Sequence, residues 1–231
     1  MLKRETINLL ENINFKDIFS ICIGKTYINQ KRFKEYIGKY YKWNTDVKKG
    51  ILQLDYKKFN VEYIGTTSNS DNYWYSAEIE MIIPSKYKKI IKEVKKEMEK
   101  ININDITSNK ILLDDEINGY NLSMIYIAFA KENLVCFNGS GDTSIYMFVK
   151  KLPQELFRRI NSVEFSTSVM EIIANFTVNH KLLVEALLIE NDYEYQENNN
   201  NIIAKFSDKS ILTIEFDNNN ILKRISGNLS I

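Results

Sequence analysis

Two runs of alternating apolar and polar residues, separated by a polar loop, constrain the fold of this chain more than any other feature. Residues 59–64 alternate as a half-buried strand does, and the alternation resumes over residues 73–81. The segment between them, residues 65–72, is rich in Ser and Asn and is typical of a loop. We therefore expect two antiparallel strands. The alternation places one aromatic and two acidic side chains on the same face of the second strand: Trp74, Glu78 and Glu80.

Apolar residues at three- and four-residue spacing predict helices elsewhere in the chain. The longest helix spans residues 5–37, and Asn14 is a candidate cap for its second part. Another helix opens at Pro84-Ser85, with an apolar stripe facing the core and its lysines on a solvated face. Residues 103–118 fit either a short helix or a loop. Further helices are predicted at residues 122–131, 153–161 and 181–189.

The remaining patterned segments are predicted strands. They lie at residues 40–43, 51–54, 134–137, 143–150, and, near the end of the chain, 192–196, 201–207, 210–216 and 220–226. This order of elements predicts an α+β fold, in which a curved antiparallel sheet packs against helices; cystatin-like and NTF2-like arrangements are analogies. Pro153 is the predicted boundary between an α+β domain of residues 1–152 and a smaller C-terminal α+β unit of residues 153–231, which ends in an antiparallel meander.

The composition narrows the class of protein. Hydrophobic residues make up 44% of the 231 residues, which is enough for a buried core. Lys and Arg total 31 and Asp and Glu total 30, so the chain as a whole has no attraction for nucleic acid or for an anionic membrane, and we expect neither as a partner.

Cys22 and Cys136 lie in apolar stretches and are expected to be buried free thiols. The N-terminus lacks the apolar run of a signal peptide, so the expected location is the cytoplasm. The oligomeric state is not set by the sequence.

Two motifs of this chain keep the residue spacing that is typical of a known family. Trp43, Asp46, Gly50 and Leu52 keep the spacing W-x-x-D-x-x-x-G-x-L, and residues 64–78 keep the spacing L-G-S-F-S-x-x-S-x-T-W-L-W-A-W. Together with Gln30, which matches a glutamine in an N-terminal helix, they resemble a bacterial family known only as a domain of unknown function, over about residues 15–150. The family motif has three tryptophans, which form an aromatic cluster. Ser76 and Glu78 replace two of them in this chain, and Trp74 keeps the remaining one. The resemblance implies no activity and no cofactor.

The sequence offers no catalytic set. His180 is the sole histidine, so a Ser-His-Asp or Cys-His arrangement must use it, and its position at the start of a predicted helix favours a surface group. One histidine and two separated cysteines do not supply a zinc site. We therefore expect no catalytic residue, metal or cofactor. Glu78 and Glu80 leave one enzymatic alternative open, a carboxylate-dependent hydrolase, because two residues on one strand face lie about 7 Å apart.

Candidate ligand-binding residues come from the helix and the sheet. Thr26 and Gln30 lie on the inward face of the first long helix, where polar groups either bond within the core or line a cavity. The sheet adds the aromatic and acidic candidates Trp43, Trp74 and Glu78. The sequence favours a non-enzymatic binding or protein-interaction module, whose partner is another protein or a small ligand. A small-molecule carrier, with a pocket near Thr26, Gln30 and Trp74, is the other alternative.

Overall fold

The computed structural model describes residues 1–10, 14–40, 42–68, 70–141 and 143–228. The chain divides into two compact units. The first unit consists of Met1 and Asn29–Phe157, and the second consists of Leu2–Ile28 and Arg158–Ile231. The division after Phe157 lies close to Pro153, but the N-terminal residues group with the C-terminal part of the chain. Three residues of predicted strands and turns, Tyr41, Asn69 and Asp142, lie outside the described residues.

The helices of the described chain follow the predicted positions with four differences. In chain order they are α1 (Arg4–Ile7), α2 (Phe15–Ile37), α3 (Lys89–Glu99), α4 (Gly119–Phe129), α5 (Ser162–Asn175) and α6 (His180–Glu190). The predicted helix of residues 5–37 is interrupted, because α1 ends at Ile7. The predicted helix at Pro84 begins as a 3-10 turn, Ser85–Tyr87, and becomes α-helical at Lys89. The predicted helix of residues 153–161 is only a 3-10 turn, Gln154–Phe157, and α5 lies where no helix was predicted. Asn14 accepts the backbone N–H of Asp17 at 2.9 Å, so its predicted role as the α2 cap is confirmed.

The strands confirm the α+β prediction and the C-terminal meander. In chain order they are β1 (Trp43–Asp46), β2 (Ile51–Leu54), β3 (Lys57–Ser68), β4 (Tyr73–Ser76), β5 (Lys110–Leu112), β6 (Val135–Gly139), β7 (Thr143–Lys150), β8 (Glu194–Asn198), β9 (Asn201–Lys205), β10 (Ile211–Phe216) and β11 (Leu222–Asn228). The first unit contains the sheet β1-β2-β3-β4-β5, with β7 beside β3 and β6 beside β7. The second unit contains the antiparallel sheet β11-β10-β9-β8.

Strand β3 organises the first unit. It pairs with β7 over residues 60–68, while β2 and β4 pair with its two ends on the other edge. A β-bulge between Tyr63 and Gly65 bends the strand. Helix α4, which is buried over almost its whole length, packs against β3, β6 and β7. The C-terminal part of α2 adds Phe33 and Ile37 to a second cluster of apolar side chains on the sheet. The first unit therefore has its own hydrophobic core.

The second unit is held together by contacts between its helices and its meander. Phe206 of the connection after β9 packs between the rings of Phe165 and Tyr193 at centroid distances of 5.2 and 4.4 Å. The carboxylate of Glu190, in α6, accepts hydrogen bonds from the backbone N–H of Lys3 and the hydroxyl of Thr6, both at 2.7 Å. These bonds explain why the N-terminal residues belong to this unit.

The predicted strand of residues 73–81 is too long, because β4 ends at Ser76. The backbone N–H of Ala77 donates to Ile64, and the N–H groups of Ile79 and Glu80 donate back to Ser76 and Ala77. The chain therefore turns where the sequence pattern continued the strand. The prediction that Glu78 and Glu80 share a strand face with Trp74 is wrong for this reason. Strand β5, in turn, lies within residues 103–118, where a short helix or a loop was expected.

Candidate interaction surface

Trp74 lies inside the first unit. Its exposed fraction is 0%, and its ring contacts Tyr126 and Tyr146 at centroid distances of 6.0 and 5.2 Å. Its indole Nε1 has no hydrogen-bond acceptor among the described residues. A ring without exposed surface cannot stack on a sugar, a base or a partner side chain, so Trp74 stabilises the core.

Thr26 and Gln30 use their polar groups within the protein. The hydroxyl of Thr26 donates to the carbonyls of Cys22 and Ile23, one turn earlier in α2. The amide of Gln30 donates to the carbonyl of Cys136 at 2.7 Å and accepts from its N–H at 2.9 Å. Thr26 belongs to the second unit, whereas Gln30 and Trp74 belong to the first. The polar groups of Thr26 and Gln30 are therefore used in hydrogen bonds within the protein.

Trp43 is half-buried on the first sheet. Its ring contacts Phe137 at a centroid distance of 5.8 Å and covers the backbone of Gly139, where an added Cβ would lie 2.4 Å from Cη2 of the ring. The Trp of the W-x-x-D motif therefore packs against the β6–β7 hairpin. Asp46 of the same motif accepts the N–H of Lys49 and shapes the turn before β2.

The two acidic candidates bind different partners. The carboxylate of Glu78 forms an ion pair with the buried ammonium of Lys95 at 2.9 Å. Burial lowers the pKa of Lys95, and the hydrogen bond to Glu78 opposes that effect. The carboxylate of Glu80 accepts a hydrogen bond from Thr66 at 3.3 Å. Each acid therefore has its own partner within the protein, and Glu78 is committed to an ion pair.

The turn that follows β4 is fixed by two buried lysines. We call residues 77–83 the 77–83 turn. Lys88 donates to the backbone carbonyls of Glu78 and Glu80 at 3.3 and 2.6 Å. Lys95, in α3, binds the Glu78 side chain and also donates to Asn109 at 2.9 Å. Because a buried lysine must be fully hydrogen-bonded to offset its desolvation, these contacts hold the turn in one conformation.

This fixed turn displays apolar side chains to solvent. The exposed fraction is 97% for Met81 and 76% for Ile82, and Ile79 is also exposed. Ala77 and Ile83, at the ends of the turn, are buried in the core. The turn is therefore anchored at both ends, and three aliphatic side chains project between the anchors. Adjacent exposed aliphatic side chains mark interaction sites on soluble proteins more often than scattered ones do.

A partly exposed tyrosine face lies next to the turn. Tyr73 and Tyr75 lie on the face of β4 opposite Trp74, with ring centroids 6.4 Å apart. The ammonium of Lys110 lies over both rings, 3.9 and 5.3 Å from their centroids. Tyr75 donates to the carboxylate of Asp71, and this hydrogen bond raises the pKa of the phenol. Leu112 shares the strand face of Lys110 and is 61% exposed.

The turn and the tyrosines are linked through Thr66. Thr66 is the register partner of Tyr75, and its hydroxyl binds Glu80 of the turn. We define the β4–β5 surface as the exposed side chains of both features: Tyr73, Tyr75, Ile79, Met81, Ile82, Lys110 and Leu112. Tyr and Met are enriched at protein interfaces. Tyr73 and Tyr75 alternate with Trp74 in the sequence, so the pattern contained this signal on the face opposite the predicted one.

His180 uses its side chain for a hydrogen bond within the second unit. Nδ1 of His180 accepts the N–H of Leu222 at 3.1 Å, and burial lowers the pKa of its imidazole.

The described residues contain no cluster of three or more potential metal ligands. No helix within the described ranges is long and apolar enough to cross a membrane. A cleft of about 110 Å³ between α3 and α4 is smaller than the few hundred Å³ typical of small-molecule sites.

Comparison with known proteins supports the predicted resemblance. Residues 16–152 match DUF6882, which is described as a family of unknown function. The match covers more than half of the chain and includes nearly all of the first unit. No curated protein and no solved structure matches the chain.

Proposed function

The chain belongs to the DUF6882 family of unknown function, and we propose that it is a non-enzymatic protein-interaction module. It binds another protein through the β4–β5 surface. The observation that carries the proposal is the exposure of Met81 and Ile82 on a turn that two buried lysines hold rigid.

The rigidity of the turn is the physical argument. A flexible loop with three aliphatic side chains can fold back onto the protein, whereas the bonds from Lys88 and Lys95 hold this turn outward. A surface that is already ordered before binding loses less conformational entropy when a partner docks. The tyrosines beside the turn add contact area with few rotatable bonds. The arrangement suits a protein partner with an apolar pocket for Met81.

The two cysteines support a cytoplasmic location. Cys22 and Cys136 are both free and buried, as predicted from their apolar neighbours. Free thiols are usual where the compartment is reducing. The bacterial origin that the resemblance implies stays a prediction.

The proposal is tested by placing a photo-crosslinking amino acid at Met81 in the cells from which the chain comes. The control carries the same amino acid at Lys58, an exposed position on β3 away from the turn. We expect a discrete adduct with one protein at position 81 and none at position 58. An excess of unlabelled protein should remove the adduct, whereas an excess of the Met81→Asp variant should not. Absence of an adduct at position 81, in a protein with unchanged circular dichroism, would contradict the proposal.

A further inference from the structure

Strand β5 forms one edge of the first sheet. It pairs with β4, and no further strand of the described chain pairs with its other side. The bonds from Leu113 to Asn72 and from Ser76 to Asn109 fix which residues face β4. Because backbone groups alternate in direction along a strand, the N–H and C=O groups of Lys110 and Leu112 point away from β4. Four backbone groups are therefore directed outward along this edge.

Lysine side chains often protect a sheet edge by projecting past it. Lys110 does not do so, because its ammonium is drawn back over the rings of Tyr73 and Tyr75. No carboxylate of the described residues forms an ion pair with it. The result is an open edge beside a cation for which no described carboxylate serves as a counter-ion, and Leu112 is exposed two residues further along the same face.

We propose that the partner of this module adds an extended segment to β5 as an antiparallel strand. This inference rests on the proposed function and specifies how the β4–β5 surface binds. The segment exchanges backbone hydrogen bonds with Lys110 and Leu112, two at each residue. Its side chain opposite Lys110 is acidic, and the side chain opposite Leu112 is apolar. Since directly opposed residues face each other across an antiparallel pair, the partner carries the order apolar, any residue, acidic.

The geometry favours a protein strand over a nucleic acid. Bases bind to exposed aromatic rings by stacking on their faces. The ammonium of Lys110 already occupies the faces of Tyr73 and Tyr75. The backbone groups of the β5 edge, by contrast, match the spacing of a peptide strand.

Two residues allow the mode of binding to be tested without disturbing the core. Leu112→Pro removes one outward N–H, which has no role inside the sheet, and proline is tolerated on an edge strand in this orientation. Leu112→Ala is the matched control, because it shortens the same side chain but keeps the N–H. Lys110→Glu reverses the charge beside the added strand.

The probes are two short peptides of β-forming sequence, Thr-Val-Thr-Glu-Thr and Thr-Val-Thr-Lys-Thr, with blocked termini. Binding is followed through the backbone amide NMR signals of the full-length protein. We expect the Glu peptide to shift the amides of Lys110 and Leu112 and to bind about two- to fivefold more tightly than the Lys peptide. Lys110→Glu should invert this preference. Leu112→Pro should weaken binding at least about fivefold more than Leu112→Ala does.

The outcomes separate this inference from the proposed function. If the adduct at position 81 persists with unchanged yield in Leu112→Pro, the module binds a partner but strand addition is overturned. Equal affinity for both peptides, or shifts confined to residues away from β5, would also overturn it. If the amide spectrum of Leu112→Pro shows that this variant is misfolded, the test is whether Lys110→Glu inverts the preference between the two peptides. An unchanged preference would then overturn strand addition. If no adduct forms at position 81 in the protein that carries no other substitution, the proposed function itself is contradicted.

Discussion

The backbone of Gly65 lies directly against the indole of Trp74. A Cβ added to Gly65 would lie 2.4 Å from Cζ2 of that ring and 2.5 Å from the carbonyl oxygen of Tyr75. Trp74 is fully buried and cannot move outward, since Tyr126 and Tyr146 contact it. The glycine and the tryptophan of the family motif therefore form one packing unit across β3 and β4, and the tight spacing between them requires glycine.

The first prediction follows from this contact. Gly65→Ala should reduce the free energy of unfolding by about 1–3 kcal/mol, because the added methyl group must displace a rigid ring or a paired strand. Gly141→Ala is the control, since the nearest atom to its added Cβ is at 3.6 Å, an ordinary contact distance. Urea unfolding, followed by tryptophan fluorescence, measures both changes. Equal stability of the two variants would show that the sheet yields at Gly65.

A second prediction concerns the glutamine in α2. Gln30→Leu removes the amide that bonds both backbone groups of Cys136. We expect a loss of about 1–3 kcal/mol, because two backbone groups lose their partner in a partly buried place. Gln53→Leu is the comparison, since Gln53 makes an exposed hydrogen bond to Asp55, and its loss should stay within about 0.5 kcal/mol. Thermal unfolding of the three proteins checks the ranking, and a neutral Gln30→Leu would contradict it.

A third prediction addresses the lysine that fixes the 77–83 turn. Lys95→Met keeps an apolar stem of similar length but leaves the Glu78 carboxylate without its ion pair. We expect the free energy of unfolding to fall by about 2–3 kcal/mol. This is less than for a fully buried ion pair, because Glu78 is partly exposed. Amide hydrogen exchange at Ile79 and Glu80 should accelerate in this variant.

The control for that change is Lys96→Met, on the exposed face of α3, which should be neutral within about 0.5 kcal/mol. A double variant, Lys95→Met with Glu78→Leu, should recover part of the lost stability, because it no longer contains an unpaired acid. If the single and double variants are equally unstable, the ion pair is not what fixes the turn.

Regular hydrophobic periods made much of the fold predictable. The buried helix α4, the β6–β7 hairpin and the C-terminal meander all lie where the sequence pattern predicted them. Asn14 was recognisable as a cap because a short polar side chain before a helix satisfies a free N–H. Each of these signals is local, since it depends on residues within a few positions of one another.

The features that the sequence missed depend on contacts between distant residues. The alternation after Ser76 continues as in a strand, yet the chain turns because Ala77 bonds to Ile64 and Lys88 binds the turn carbonyls. Lys95 belongs to a lysine-rich helix, and nothing local distinguishes it from its solvated neighbours. Strand β5 has three residues, too few for a recognisable period. The candidate surface is built from these elements, so the sequence alone pointed to the opposite, buried face.

The cysteines provide a fourth prediction. Burial raises the pKa of the Cys136 thiol to about 12, and burial together with the charge of Glu190 raises the pKa of Cys22. Neither thiolate should be available near pH 8 in the folded protein, since the thiolate is the reactive form. We expect almost no reaction with Ellman's reagent in native buffer and two thiols per chain in denaturant. Fast labelling of the native protein would contradict the burial of at least one thiol.

The last prediction concerns Glu185 in α6, which is 7% exposed and makes no hydrogen bond among the described residues. Burial raises the pKa of its carboxyl to about 7 from an ordinary value of 4.5; Lys181 opposes this rise and Glu197 adds to it. The folded protein therefore holds a proton that the unfolded chain has released between about pH 4.5 and pH 7. The contribution of this group to stability is fully present below about pH 4.5 and is lost as the pH rises to about 7.

Glu185→Gln should remove this pH dependence, because the amide stays neutral at every pH. We expect the variant and the unmodified protein to be similar in stability near pH 4.5. Near pH 8 the variant should be more stable by up to about 3 kcal/mol, since it does not bury an ionised carboxylate. The exposed substitution Glu194→Gln serves as the control and should shift stability little at either pH. Urea unfolding at both pH values measures the difference, and a gain that is the same at both would show that folding does not raise the pKa of Glu185.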